Sequence, residues 1–121
     1  MHSSLNAIMI YAKDMARTTD FYQRYFGLTS SGEVEGLIKL GSAKGGPVIL
    51  IYQAAKSVKL GQVVVKLVFA VKYVDAFKAK SAALALTSGS TRQANGYAFA
   101  NAKDPDKNSI SISSRAYRRG Q

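Results

Sequence analysis

The sequence predicts an α+β fold in which two βαβββ modules in tandem form a half-open, curved mixed sheet around a groove. A strand-to-helix boundary occurs twice, 59 residues apart, at Ala12-Lys13-Asp14-Met15 and at Val71-Lys72-Tyr73-Val74. The first helix has recognisable start and stop residues, and a proline-containing turn leads into an alternating strand near the end of the chain. Because each module is too small to be stable alone, the two are expected to share a core.

The first module begins with a nearly continuous apolar run, residues 5–12, which predicts a strand. Apolar and aromatic side chains then recur at three- and four-residue spacing over residues 15–26, which predicts a helix. Asp14 suits the N-cap of this helix, and Gly27 suits the position just after its end. Residues 54–60 predict a linker, and between helix and linker we expect three strands, at about residues 29–34, 36–41 and 47–52.

The second module repeats this order. Residues 62–71 predict a strand, and residues 74–86 predict a helix whose inward face includes Leu84. Residues 87–93 are polar and predict a weak strand. A turn with Pro105 at its second position joins the last two strands, which we expect at residues 97–102 and 109–113.

Length and composition predict one domain, residues 1–121, with modules at about 5–53 and 61–114 and a basic tail at 115–121. The chain has no Cys and its only His is His2, which argues against a cysteine nucleophile, a His/Cys zinc site and a Ser-His-Asp triad. No apolar run approaches the roughly 20 residues of a membrane span, and no signal-peptide pattern is present, so we expect a cytoplasmic protein without membrane contact. The net charge of +10 is dispersed except in the tail, which favours a solvated surface over nucleic-acid binding.

Two motifs resemble those of the vicinal-oxygen-chelate superfamily, which includes glyoxalases, bleomycin-resistance proteins and dioxygenases. They are Lys13-Asp14-Met15 with Phe21-Tyr22 and Phe26-Gly27-Leu28, and Gly96-Tyr97 with Asp104-Pro105-Asp106-Lys107-Asn108 and the strand after it. The resemblance covers about residues 5–114. Lys107 departs from it, because the family usually has Gly there, and a left-handed backbone at Lys costs about 1 kcal/mol.

The resemblance implies four metal-ligand positions, on the first and last strands of each module. Carried over by spacing, they fall on Ala7, Leu50, Lys66 and Ser111. Ala and Leu have no donor atom, Lys repels a cation, and a single Ser is a weak ligand. The family's metal-dependent reactions are therefore not expected, and the sequence predicts no metal, no other cofactor and no catalytic residue.

Strand alternation predicts which side chains line the groove. The candidate ligand-binding residues are Met9, Tyr11, Leu50, Tyr52, Lys66, Val68, Arg92, Tyr97 and Ser111. Tyrosine rings suit stacking on a flat ligand, and Lys66 suits an anionic or carbonyl-bearing group. The tyrosines also suit simple packing, and Arg92 and Ser111 suit a solvated surface. Lys66 could equally extend to solvent or pair with Glu33 or Glu35.

Three classes of function remain open. The leading one is a metal-independent small-molecule-binding protein similar to the bleomycin-resistance proteins, with an aromatic ligand that is neutral or anionic; the resemblance also implies a homodimer. The second is a glyoxalase- or dioxygenase-related lyase or oxidoreductase, in which a Tyr or Lys with a burial-shifted pKa does acid–base work. The third is a basic accessory protein for nucleic acid or anionic surfaces, whose binding would fall steeply with salt.

Overall fold

The computed structural model describes residues 2–118 and divides the chain into two compact units, with the boundary in sequence between Lys59 and Leu60. Each unit contains one βαβββ module, which confirms the α+β class with two tandem modules. The groove remains a prediction, and residues 119–121 of the predicted tail lie outside the described residues. Within residues 2–118, neither helix has the length and apolar composition that crossing a bilayer requires.

The first unit contains a four-stranded sheet and one helix. Its elements are β1 (Ala7–Ala12), α1 (Met15–Phe26), β2 (Thr29–Val34), β3 (Leu37–Gly41) and β4 (Val48–Gln53). The strand order is β1-β4-β3-β2, with β1 parallel to β4 and the other neighbours antiparallel. The parallel pair is possible because α1 and the two strands after it carry the chain back before β4 begins.

Helix α1 begins and ends at the predicted residues. The Asp14 side chain accepts a hydrogen bond from the Arg17 backbone N–H at 3.1 Å, which satisfies one of the free amides of the first turn. Gly27 adopts a φ of 66°, and its N–H donates to the Gln23 carbonyl at 3.0 Å. This left-handed conformation is open to Gly at little cost and ends the helix.

The core of the first unit lies between α1 and one face of the sheet. Tyr22 on the helix and Leu40 and Ile51 on the sheet are completely buried, and Phe21 packs edge-on against Tyr22 with ring centroids 5.1 Å apart. Alternate residues of β1 and β4 point to the opposite face, because the side-chain period of a strand is two. Four of the predicted ligand-binding residues lie on that opposite face.

The second unit repeats the arrangement. Its elements are β5 (Lys66–Ala70), α2 (Val74–Ala82), β6 (Arg92–Ala94), β7 (Tyr97–Lys103), β8 (Ser109–Ser113) and a short 3₁₀ turn (Arg115–Tyr117). The strand order is β5-β8-β7-β6, and β5 is parallel to β8. Helix α2 begins 59 residues after α1, as the repeat predicts.

The predicted end of α2 is wrong, since the helix stops at Ala82 instead of residue 86. Ala85 has a φ of 76°, which lies outside the helical region, and Leu84 is 45% exposed instead of facing inward. The chain leaves the helix through a turn in which the Leu86 N–H donates to the Ser81 carbonyl at 2.9 Å. Leu86 is buried after this turn. Its apolar side chain suggested that the helix continues to residue 86, but it packs beyond the end of α2.

Strand β5 is also shorter than predicted, because it begins at Lys66 instead of residue 62. Lys66 is paired with Ser109, the first residue of β8. Residues before Lys66 would need partners before Ser109, where the chain forms the turn that precedes β8. Residues 63–65 consequently remain outside the sheet, and Val64 is 99% exposed.

The turn before β8 is organised by Asp104. Its Oδ1 accepts hydrogen bonds from the N–H groups of Asp106 and Asn108, and its Oδ2 accepts one from Asn108 Nδ2, all at 2.9 Å. Lys107 has a φ of 65°, so this lysine adopts the left-handed conformation that Gly would adopt at lower cost. The predicted turn therefore forms, and β8 begins directly after it at Ser109.

Candidate functional site

The first sheet carries an exposed, largely apolar surface on the face that points away from α1. Strand register places six residues in two cross-strand rows, Tyr11–Tyr52–Leu37 and Met9–Leu50–Lys39. These six residues are called the tyrosine face below. Met9 and Tyr11 are 45% and 55% exposed, although both are large apolar side chains in a regular strand. The face therefore brings together the predicted residues Met9, Tyr11, Leu50 and Tyr52.

The two tyrosine rings are the most specific feature of this face. The ring centroids of Tyr11 and Tyr52 are 6.2 Å apart, and the ring planes are tilted by 31°. This is within the range of favourable aromatic pairs, and a further ring stacked on either would contribute about 0.5–1.5 kcal/mol beyond the area it buries. Lys39, which the sequence analysis did not single out, adds one cation next to Leu50.

The second sheet carries a polar surface at the corresponding positions. Register places six residues in two rows, Lys66–Ser109–Lys103 and Val68–Ser111–Asn101, which are called the lysine face below. Lys66 Nζ donates to Asn101 Oδ1 at 3.1 Å, and Lys103 Nζ donates to Ser109 Oγ at 2.8 Å. Lys66 is exposed, which agrees with the predicted extension to solvent, and its contact with the Asn101 amide was not predicted. The alternation of β7 was the signal that could have placed Asn101 and Lys103 here.

Ser111 lies at the centre of the lysine face but is only 3% exposed. Its hydroxyl donates to the Ala100 carbonyl at 3.2 Å, so its proton is engaged within the sheet. Val68, its neighbour on β5, is 61% exposed. A role for Ser111 in ligand binding remains a prediction.

Arg92 and Tyr97 lie on the same side of the second sheet as Lys66. Arg92 is paired with Phe99, and Phe99 is paired with Ser113 in the row next to Ser111. The Tyr97 ring lies 6.3 Å from the Phe99 ring, and the guanidinium of Arg118 lies 5.5 Å from the Tyr97 ring centroid. Arg92 is exposed and Tyr97 is half-buried, so both stand at the edge of the lysine face.

The four positions implied for a metal ion do not provide a metal site. Ala7 and Leu50 belong to the first sheet, and Lys66 and Ser111 to the second; none offers the carboxylate, imidazole or thiolate that divalent cations prefer. Residues 2–118 also contain no cluster of three or more His, Cys, Asp or Glu side chains that could hold a metal ion. The side chains present therefore do not fit a divalent cation.

Comparison with solved structures identifies proteins of similar fold. Lactoylglutathione lyase from Agrobacterium tumefaciens is 20% identical, with coverage of 93% of this chain and 94% of that chain and a TM-score of 0.71. TnmS3, an antibiotic binding protein from Streptomyces sp. CB03234, is 16% identical, with coverage of 92% and 94% and a TM-score of 0.78. The fosfomycin resistance protein FosX from Listeria monocytogenes is 20% identical, with coverage of 93% of each chain and a TM-score of 0.74. At these identities the likeness is one of fold.

Sequence comparison is decisive at the level of the family. No curated protein matches the chain significantly. The family model for the Glyoxalase/Bleomycin resistance protein/Dioxygenase superfamily matches residues 4–112, which is nearly all of both modules. The two motifs and the duplicated βαβββ order agree with this match, and the chain belongs to the glyoxalase/bleomycin resistance protein/dioxygenase superfamily.

Proposed function

We propose that this protein binds a small aromatic molecule on the tyrosine face, without a metal ion. The observation that carries the proposal is the pair of rings formed by exposed Tyr11 and half-buried Tyr52, flanked by Met9 and Leu50. Exposed apolar surface of this kind commonly marks a binding site. A flat ligand would cover it at a gain of about 25 cal/mol per Å² of apolar area removed from water, and the tyrosine hydroxyls would orient it.

The superfamily supports a binding role, since the similarly folded TnmS3 is described as an antibiotic binding protein. The charge of the chain indicates which ligands suit it. A net charge of +10 disfavours a cationic ligand and favours a neutral or anionic one. Binding without chemistry accords with the side chains at the four implied metal positions, none of which is suited to hold a catalytic ion.

Two further expectations belong to the same proposal. The superfamily resemblance implies a homodimer, and the composition favours a cytoplasmic location. A second copy of the chain is the other occupant that could cover the tyrosine face. Sedimentation equilibrium of the wild type and of Tyr11→Ser distinguishes the two, because a dimer formed through this face would dissociate in the variant while a bound small molecule leaves the mass of the assembly unchanged.

The direct test is ligand binding by variants of the two tyrosines. A thermal-shift panel of neutral and anionic aromatic compounds identifies a ligand, and calorimetry then compares the wild type with Tyr11→Ser and Tyr52→Ser. We expect each variant to bind about tenfold more weakly, since each loses one stacked ring and its apolar area. Tyr73→Ala is the matched control, because Tyr73 is 68% exposed and lies outside the tyrosine face. Unchanged affinity in both serine variants would contradict the proposal.

A further inference from the structure

We infer that the lysine face contains an oxyanion subsite, in which Lys66 and Lys103 bind the carboxylate or phosphate group of a small molecule above Ser109. The inference goes beyond the proposed function, because it concerns the second unit alone and names the kind of charged group that binds there. The geometry of three neighbouring strands, the direction of the hydrogen bonds and the distribution of charge each support it.

The register of the strands brings the two lysines to the same place. Lys66 on β5 and Lys103 on β7 are both paired with Ser109 on the intervening strand β8, so the three side chains point to one face in a single row. Neighbouring strands are about 4.8 Å apart, which puts the two lysine Cα atoms about 10 Å apart across Ser109. Two flexible lysine side chains can therefore converge on one small group above the serine.

The hydrogen bonds on the lysine face engage acceptor atoms and leave several N–H and O–H donors unused. Lys66 donates to Asn101 Oδ1, and Lys103 donates to Ser109 Oγ. Each ammonium group retains further N–H donors, Asn101 retains its amide N–H₂, and the Ser109 hydroxyl retains its proton. A group that only accepts hydrogen bonds matches this set, and carboxylate and phosphate oxygens are such groups.

The charges near the row favour the same ligand. In the part of the second unit that the structure describes, residues 60–118, no carboxylate lies within ion-pair distance of Lys66 or Lys103. The acceptors that they do contact are a neutral amide and a neutral hydroxyl. Both ammonium groups would attract an anion bound above Ser109. A cationic ligand is disfavoured for the same reason.

Small probes without an aromatic ring test this subsite separately from the tyrosine face. The isotope-labelled full chain is titrated with acetate, acetamide and inorganic phosphate at constant ionic strength, and backbone amide shifts are followed by NMR. We expect acetate or phosphate, and not the isosteric neutral acetamide, to shift the amides of Lys66, Lys103 and Ser109. Tighter binding of phosphate than of acetate would identify the bound group as a phosphate. Tighter binding of acetate would identify it as a carboxylate. If neither anion shifts these amides, the inference is wrong.

Three variants, each of which lowers the net charge by one, separate a specific subsite from the general attraction of a basic chain. Asn101→Asp keeps the shape of the side chain but places a carboxylate beside Lys66, and it should weaken anion binding by about threefold to tenfold. Lys80→Met on α2 removes one positive charge outside the lysine face, and we expect less than about a twofold change. Lys66→Met should behave as Asn101→Asp does. Equal losses in Asn101→Asp and Lys80→Met would overturn the inference.

The inference and the proposed function fail in different ways. If Tyr11→Ser weakens aromatic binding about tenfold and leaves phosphate or acetate binding intact, both stand. Anion binding at Lys66 together with no aromatic binding at the tyrosines would retain the subsite and reject the proposed function. Aromatic binding without any response of Lys66, Lys103 and Ser109 to anions would reject the subsite alone.

Discussion

At the scale of single residues, Lys107 shows how a position can retain a conformation that its side chain disfavours. Its φ of 65° is the left-handed value that Gly adopts without a steric penalty, yet the Asp104 carboxylate holds the surrounding turn in place through two backbone N–H groups. The three hydrogen bonds to Asp104 offset the strain at Lys107. The sequence departs from the family pattern here, and the fold does not.

Replacing Lys107 with glycine should relieve this strain. We expect Lys107→Gly to raise the free energy of unfolding by about 1 kcal/mol, measured by urea denaturation. Lys107→Ala is the matched control, because it removes the same long side chain and keeps the left-handed strain, so its stability should not rise. A stability gain of equal size in both variants would show that the lysine side chain, and not the backbone conformation, is the cause.

At the scale of elements, the two helices differ in how their first turns are capped. Asp14 and Tyr73 occupy equivalent N-cap positions with nearly the same backbone angles, φ −132° and ψ 101° against φ −124° and ψ 95°. Asp14 caps its helix through the Arg17 N–H, while Tyr73 makes no side-chain hydrogen bond to the start of α2. Helix α2 is instead connected to Thr91, whose hydroxyl donates a hydrogen bond to Asp75 and accepts one from Lys78.

The missing cap can be supplied by substitution. Because the backbone at Tyr73 already has the N-cap conformation, Tyr73→Asp should stabilise the protein by about 1 kcal/mol, and Asp14→Ala should destabilise it by about the same amount. Thermal unfolding of the two variants measures both effects. Tyr73→Ala is the control, since it removes the ring without adding a cap. A fall in stability for Tyr73→Asp would mean that the ring packs usefully where it is.

At the scale of the whole molecule, a duplicated βαβββ unit presents two surfaces of opposite character. The tyrosine face of the first unit is apolar and aromatic, and the lysine face of the second is cationic and rich in hydroxyl and amide groups. The modules share one topology, so the difference lies in the side chains that point away from the helices. The buried apolar side chains Ile10, Ile51, Ile110 and Ile112 lie on the opposite faces of the same strands, so the apolar core does not depend on this difference.

Metal dependence is the property that distinguishes binding from the superfamily's metal-assisted reactions. We expect dialysis against EDTA to leave aromatic-ligand affinity unchanged, and added Ni²⁺, Zn²⁺ or Mn²⁺ to leave the melting temperature unchanged, because the four implied positions hold Ala7, Leu50, Lys66 and Ser111. Calorimetry and thermal unfolding measure the two effects. A melting temperature that rises with one of these ions and falls again with chelator would reopen the enzymatic alternatives.

Much of this structure follows from local patterns in the sequence. The ends of α1 were predictable because Asp14 and Gly27 act on their own helix. The shared face of Met9 with Tyr11 on β1, and of Leu50 with Tyr52 on β4, was predictable because alternation is a property of a single strand. The repeat of 59 residues likewise placed the start of α2. Each of these signals depends on neighbours within a few residues along the chain, or on a comparison of the chain with itself.

Only the tertiary structure decided the rest. Strand β5 begins at Lys66 because its partner β8 begins at Ser109, and α2 ends at Ala82 because Leu86 is buried after a turn. The contacts of Lys66 with Asn101 and of Lys103 with Ser109 likewise depend on the register of β5, β7 and β8. Register is set between strands that are distant in sequence, so alternation within one strand predicts which face a side chain occupies but not which side chain it meets.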